Sequence, residues 1–199
     1  MSRHRLILLA IAMILIFFLL TAAIPHAANL DLLVLAGIMA RRTPAATHFF
    51  RFITFFGTPT FFYPATAALS LAYYTWRRWQ GFWGVLITMN GTWGIMEWLK
   101  NFYHRPRPSL GPLEPAPGFS FPSGHAMMGT VFFGLLVLWL LKICPPRCRG
   151  HMVPVTLIFL LLLGFSRLYL GVHYPTDVLA GYAAGMSILA LFLAWWKEG

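Results

Sequence analysis

A helix needs about 20 apolar residues to cross the hydrocarbon core of a bilayer, and this chain supplies such a run almost at once. Residues 6–24 are nineteen apolar or small side chains in succession, led by Arg3-His4-Arg5. A cleaved signal peptide also opens on basic residues, but its apolar core is usually about 7–15 residues long. This run is longer, and no small-x-small cleavage site with a polar mature start follows it, so it reads as a retained helix. Further apolar segments at residues 61–76, 81–99, 126–141, 152–170 and 178–196 bring the expected spans to six. Several are short at their apolar cores, which calls for tilt or extension into the headgroup region. With 59% of its 199 residues hydrophobic and 10% charged, the chain could not cover its apolar surface in water. The expectation is an all-α polytopic membrane protein with six transmembrane helices. It forms one domain over residues 1–199, because no repeat, low-complexity tract or long polar linker divides it.

Residues 29–60 alternate aromatic clusters with Arg41-Arg42, His48 and Arg51. The segment is too interrupted to span, and short interfacial helices along the outer leaflet suit it better. A net charge of +10 raises nucleic acid as a partner. The basic residues are scattered between apolar spans rather than gathered on one polar face, so no nucleic-acid partner is expected. Membrane lipids and an anion site account for them. Cys144 and Cys148 flank Pro145-Pro146-Arg147. Two thiols without a nearby histidine pair fall short of a structural zinc site, and they read as incidental.

Six spans bring three polar clusters to one membrane face. Lys100-Asn101-Phe102-Tyr103-His104-Arg105-Pro106-Arg107-Pro108 closes the third span, with prolines that stop the helix. A surface anchor of basic residues would explain it, but such anchors belong on the cytoplasmic side. Phe121-Pro122-Ser123-Gly124-His125 opens the fourth span. A helix N-terminus carries unpaired N–H groups and the positive end of the dipole, so it receives anions. Gly124 permits close backbone approach and Ser123 can donate a hydroxyl; the plain alternative for Ser123 is a helix cap. Arg167 sits in an otherwise apolar span and must face a polar interior with an anionic partner. Asp177 follows His173 by four residues, with Pro175 between them starting a new helix. A carboxylate on one ring nitrogen fixes the tautomer and leaves the other nitrogen free to attack. Together these groups make a site for phosphate with a nucleophile beside it.

In type, order and spacing, Lys100-x6-Arg107-Pro108, Pro122-Ser123-Gly124-His125 and Ser166-Arg167-x5-His173-x3-Asp177 resemble the tripartite signature of the type-2 phosphatidic acid phosphatase superfamily. Vanadium haloperoxidases and glucose-6-phosphatase share that signature, and the resemblance covers about residues 60–196. It implies that His173 is a nucleophile forming a phosphohistidine, that Asp177 orients it, and that His125 protonates the leaving lipid oxygen. Lys100, Arg107, Ser123, Gly124 and Arg167 would bind the phosphoryl oxygens. The implied substrates are lipid phosphate monoesters or diphosphates: phosphatidic acid, phosphatidylglycerol phosphate, lipid A phosphates or undecaprenyl diphosphate, the carrier lipid of cell-wall synthesis. Arg105 reads as a further phosphate contact outside the signature. Glu97 reads as solvated, with pairing to a site cation as the alternative, and Glu114 as solvated.

The five acidic residues Asp31, Glu97, Glu114, Asp177 and Glu198 are spread over the chain. A two-metal phosphatase needs carboxylates together, so no metal and no cofactor is expected. A phosphotransferase, or a transporter binding a lipid phosphate without turnover, stands as the alternative. Orientation follows the basic residues near span ends. Arg3, Arg5, Arg77, Arg78, Lys142, Arg147, Arg149 and Lys197 would lie inside, against Arg41, Arg42, Arg51 and Arg105 outside once the three phosphate-binding cations are set aside. Both termini are then cytoplasmic. The site would open on the periplasmic or extracellular side of a bacterial inner membrane. Oligomeric state leaves no mark in the sequence.

Overall fold

A computed structural model describes residues 2–75 and 78–196. Trp76, Arg77, Lys197 and Glu198, used above for span ends and charge counts, lie outside the described residues. Those described form seven helices and no strand: α1 (Arg3–Met39), α2 (Pro44–Phe55), α3 (Pro59–Thr75), α4 (Trp79–Tyr103), α5 (Gly124–Ile143), α6 (Pro146–Tyr169) and α7 (Pro175–Trp195). Helices α1, α5, α6 and α7 are long and apolar enough to cross a membrane. Helix α3 has 17 residues, and α4 dilutes its apolar surface with Asn90, Glu97 and Lys100. These two pack on each other and against α5, in the places expected for the second and third spans.

The N-terminal helix departs from expectation. It runs unbroken through Pro25 to Met39, so residues 29–39 extend the first span instead of forming a separate interfacial helix. Proline removes one amide donor, but a long helix in lipid accommodates that loss, and Ala27, Ala28 and Leu30 favour continuation. At 1.5 Å per residue its 37 residues reach about 55 Å, well beyond a bilayer core of about 30 Å. Its far end packs on α7 and buries Asp31 and Leu35. The interfacial expectation survives for α2 alone. Thr43 caps it, its Oγ1 accepting from the Ala46 amide at 3.2 Å, and Pro44 starts it. Phe50 docks on Tyr169 of α6, with ring centres 4.5 Å apart, while Phe49, Phe52 and Phe55 stay exposed.

Burial departs from that of a water-soluble protein at both the outer surface and the polar end of the core. Leu8, Leu19, Leu33, Ile87 and Leu161 are exposed, whereas Asp31, Arg167, His173 and Asp177 are buried. That distribution suits lipid outside and a polar interior. A close backbone seam joins α5 and α7. A Cβ at Gly181 would lie 2.7 Å from the Ser123 carbonyl oxygen, and one at Gly185 would lie 2.6 Å from that of Met127. Two glycines one turn apart therefore let the backbones touch, as small residues do between membrane helices. The seam continues into a backbone bond from the Ser123 amide to the Asp177 carbonyl at 3.0 Å. Helix packing in the lipid zone thus sets the distance between the second and third polar clusters.

Candidate active site

The C-terminal ends of α4 and α6 and the N-terminal ends of α3, α5 and α7 meet at one end of the bundle. There they enclose a cavity of about 280 Å³. Lys100, Arg107, Gly124, His125, Arg167 and His173 all line it. Ser123 and Asp177 are fully buried and adjoin this lining, Ser123 next to Gly124 and Asp177 against His173. All eight residues expected at the site therefore gather at this end of the bundle.

His173 follows α6 in the short turn before α7. Its Nδ1 lies 3.4 Å from Asp177 Oδ2 and 3.4 Å from Ser120 Oγ. Ser120 donates to the same Asp177 oxygen at 2.5 Å, and the Tyr174 amide donates to it at 2.8 Å. On the other side of the ring, Nε2 faces Arg107 Nη1 at 3.3 Å. A guanidinium can only donate, so the network assigns the proton to Nδ1 and leaves Nε2 with its lone pair facing Arg107, which also lines the cavity. Burial pushes the His173 pKa down to about 4, with Asp177 opposing the shift. The ring is therefore neutral near pH 7, and its contact with Asp177 is a hydrogen bond rather than an ion pair.

The cations differ in how firmly they are held. Arg107 donates to the carbonyls of Gly118 at 3.0 Å, Pro117 at 3.1 Å and Val172 at 2.9 Å, which fixes its plane beside His173. Burial lowers its pKa, and Asp177 counters this. Arg167, in the last turn of α6, donates from Nη1 to Thr54 Oγ1 at 2.5 Å. The same nitrogen is 3.8 Å from Glu114 Oε2, while Nε is buried with no partner. Lys100 lies 3.4 Å from Glu97 Oε1. At the mouth of α5, the hydroxyl of Ser123 makes no cap bond and has no partner, and His125 Nε2 is likewise buried and unpartnered. The helix-cap explanation of Ser123 therefore fails. Gly57 makes room for the His125 ring, since a Cβ there would overlap the imidazole. Burying three polar atoms without partners is costly unless a ligand completes them.

Several side chains lie where the sequence reading did not put them. Arg105 is no phosphate contact: it turns away from the cavity and donates to Asp177 Oδ1 at 2.6 Å, Thr176 Oγ1 at 2.7 Å and Asp31 Oδ2 at 2.8 Å. The turn is made at His104, which ends α4 in the left-handed region with φ 48°. Glu114 is half-buried on the cavity wall, 3.7 Å from Arg51 as well as close to Arg167, instead of solvated. Glu97 takes the alternative open to it and pairs with Lys100. Asp31 and Ser120 were not singled out. Asp31 could have been, because an ionisable group in a long apolar segment needs a partner. Ser120 lies in a proline- and glycine-rich loop and carries no such signal. Among the described residues, no group of three or more His, Cys, Asp or Glu side chains could hold a metal ion.

The family model described as the PAP2 superfamily matches residues 81–198, more than half of the chain. Phosphatidylglycerophosphatase B of Bacillus subtilis is 29% identical over 183 residues, covering 88% of this chain and 89% of that protein. An undecaprenyl-diphosphatase of Sulfolobus acidocaldarius is 40% identical over 74 residues, covering 37% of this chain and 32% of that protein. The crystal structure of a transmembrane PAP2-type phosphatidylglycerolphosphate phosphatase from Bacillus subtilis superimposes with a TM-score of 0.88 at 27% identity, covering 94% of each chain. With four membrane-length helices among the described residues and this transmembrane neighbour, the chain is an integral membrane protein.

Proposed function

The chain belongs to the PAP2 superfamily, and from that premise we propose that it is a membrane phosphatase hydrolysing lipid phosphates through a phosphohistidine, without a metal ion. The observation that carries this reading is the set of unpartnered buried atoms, Ser123 Oγ, His125 Nε2 and Arg167 Nε, gathered with a lone pair on His173 at one end of the bundle. Such atoms suit an oxyanion with its hydrogen-bond positions open. Lys100, Arg107, Arg167, Ser123 and the first amides of α5 at Gly124 hold the phosphoryl oxygens.

In this reading His173 Nε2 forms a bond to phosphorus as the phosphorus–oxygen bond to the lipid breaks. Asp177 holds Nδ1–H throughout. His125 gives a proton to the departing oxygen, and the bound dianion favours that protonated form. A water then displaces His173, giving its proton to His125 and releasing inorganic phosphate. Phosphoryl transfer of this loose kind needs placement and fixed positive charge more than covalent machinery.

A second, mostly apolar cavity shares Pro59, Phe62, Trp93 and Met128 with the first and continues between α3 and α4, past Tyr63, Leu86 and Met89. It suits an apolar tail, while the charged cavity takes the head. The Bacillus relatives make phosphatidylglycerol phosphate the first substrate to try. Phosphate release in detergent from phosphatidylglycerol phosphate, phosphatidic acid, undecaprenyl diphosphate and a lipid A phosphate tests the reading. Turnover of at least one should survive EDTA; complete loss in EDTA, restored by magnesium, would defeat the metal-free mechanism.

We place α3 and α4 in the bilayer as the remaining two spans. Both termini face the cytoplasm, and the site opens on the periplasmic or extracellular side of a bacterial inner membrane. Arg105, one of the cations counted outside, is occupied by carboxylates, which strengthens the inside bias of the rest. Cys148, an exposed free thiol at the start of α6, would then be shielded in intact cells. An impermeant maleimide should spare it and label Gly111→Cys; the reverse pattern would invert the topology.

A further inference from the structure

The family match begins at residue 81, yet one polar group of the N-terminal helix reaches the nucleophile's support. Asp31 is the acidic residue of α1, and it is 2% exposed. Its Oδ1 accepts from the Thr176 amide at 3.1 Å, and its Oδ2 accepts from Thr176 Oγ1 at 2.5 Å and Arg105 Nη2 at 2.8 Å. Arg105 spends its other terminal nitrogen on Asp177 Oδ1 and lies over the Tyr174 ring, 4.2 Å from its centre. The line of contacts is therefore Asp31, Arg105, Asp177, His173. A buried ion cluster is a weak source of stability, since well-packed apolar side chains often serve as well. Fixing a geometry explains it better.

We propose that Asp31 is a positioning residue for the phosphoryl transfer, acting through Arg105 to hold Asp177 and so the ring of His173. The proposal rests on the reading of His173 as nucleophile. Its physics is a balance of charge. Arg105 alone would neutralise Asp177 and weaken its hold on Nδ1–H. Asp31 engages the same guanidinium from behind and leaves the cluster with net negative charge facing the imidazole. That charge is worth most when Nε2 bonds to phosphorus and the ring becomes cationic. The arrangement resembles an outer-shell partner that orients a ligand it does not itself replace.

The other groups facing His173 are Arg107 and Ser120 from the loop, Arg167 from α6, His125 from α5 and Lys100 from α4. None of them bonds to the side chain of Asp31 or Arg105, so the two substitutions act on the line behind Asp177. Asp31→Asn should lower kcat about tenfold with KM within about twofold, because the support acts on the transition state. It should also move the acid limb of kcat/KM to lower pH, while Arg105→Gln moves that limb to higher pH. The double variant should match Arg105→Gln in kcat, because the guanidinium is the link to Asp177, while its limb moves back toward the wild-type position as the Asp31 charge is removed. Normal kcat and an unshifted limb in Asp31→Asn, a change in KM only, or shifts of the same sign in both variants would overturn the proposal. If Asp31→Asn fails to fold in detergent, the comparison of Arg105→Gln with the double variant decides the matter: a further loss of kcat in the double variant refutes it. A His173→Ala protein that still releases phosphate would instead overturn the reading beneath it, whatever Asp31 does.

Discussion

The two sides of His173 are built in opposite ways. Behind the ring, Asp177 takes hydrogen bonds on both oxygens, from Ser120 at 2.5 Å, Arg105 at 2.6 Å and the Tyr174 amide at 2.8 Å. In front of it, the pairs Lys100–Glu97 and Arg167–Glu114 stand at 3.4 and 3.8 Å, and polar atoms of Ser123, His125 and Arg167 have no partner. A saturated back and an unsaturated front divide the work. The back fixes an orientation before any ligand arrives, so little reorganisation is needed during reaction. The front keeps its donors for something not yet bound. Structure that positions is satisfied; structure that receives is not.

The contrast can be broken most severely at the ring that divides the two sides. His173→Ala should abolish lipid phosphate release, by about 10⁴-fold or more, while the front still binds inorganic phosphate as a competitive ligand. Arg167→Ala should cost less, about 10²-fold in kcat/KM, and should also weaken phosphate inhibition, since it removes a receiving group. Steady-state kinetics with phosphate as inhibitor separates the two, and loss of phosphate binding in His173→Ala would erase the distinction between sides. Next comes pH. His173 must be neutral to attack and its pKa is near 4, so the free enzyme's kcat/KM should be independent of this group above about pH 5. Below about pH 4 it should fall roughly tenfold per unit as the lone pair is lost. An acid limb near pH 6.5 beyond the one expected from the substrate phosphate's own second ionisation, at about pH 6, would mean that the ring is not held as described. The smallest effect belongs to Glu114. Glu114→Gln removes a weak, partly exposed pair from Arg167, which is worth about 0–1 kcal/mol. Phosphate should then inhibit a few-fold more tightly, as measured by its inhibition constant; weaker inhibition would make Glu114 part of the receiver rather than its stand-in.

Much of the front was legible in the chain itself. Each of the three polar clusters is short, and its residue types and spacing survive any arrangement of helices. Once the spans alternate across a membrane, Lys100, His125 and His173 have to emerge together. The back was less legible, because it is assembled across long separations: Asp31 meets Thr176 over 145 positions and Arg105 over 74. Signature spacing alone separates Arg105 from Arg107, two positions on, and it does not say that one points away from the cavity while the other lines it. The helix through Pro25 was obscured for a different reason. A proline next to a histidine looks like an end in a local reading, whereas packing against α7 rewards continuation. Glu114 seemed a solvated loop residue because its two arginine neighbours come from α2 and α6.

The glycine seam between α5 and α7 carries a design consequence. A methyl group added at position 181 or 185 would act as a wedge, prising apart two rods whose tips hold the attacking imidazole and the amides that await the oxyanion. Residues buried between two helices, one and two turns below the chemistry, thus calibrate its gauge, and substitutions there would behave as catalytic lesions while leaving every reactive side chain intact.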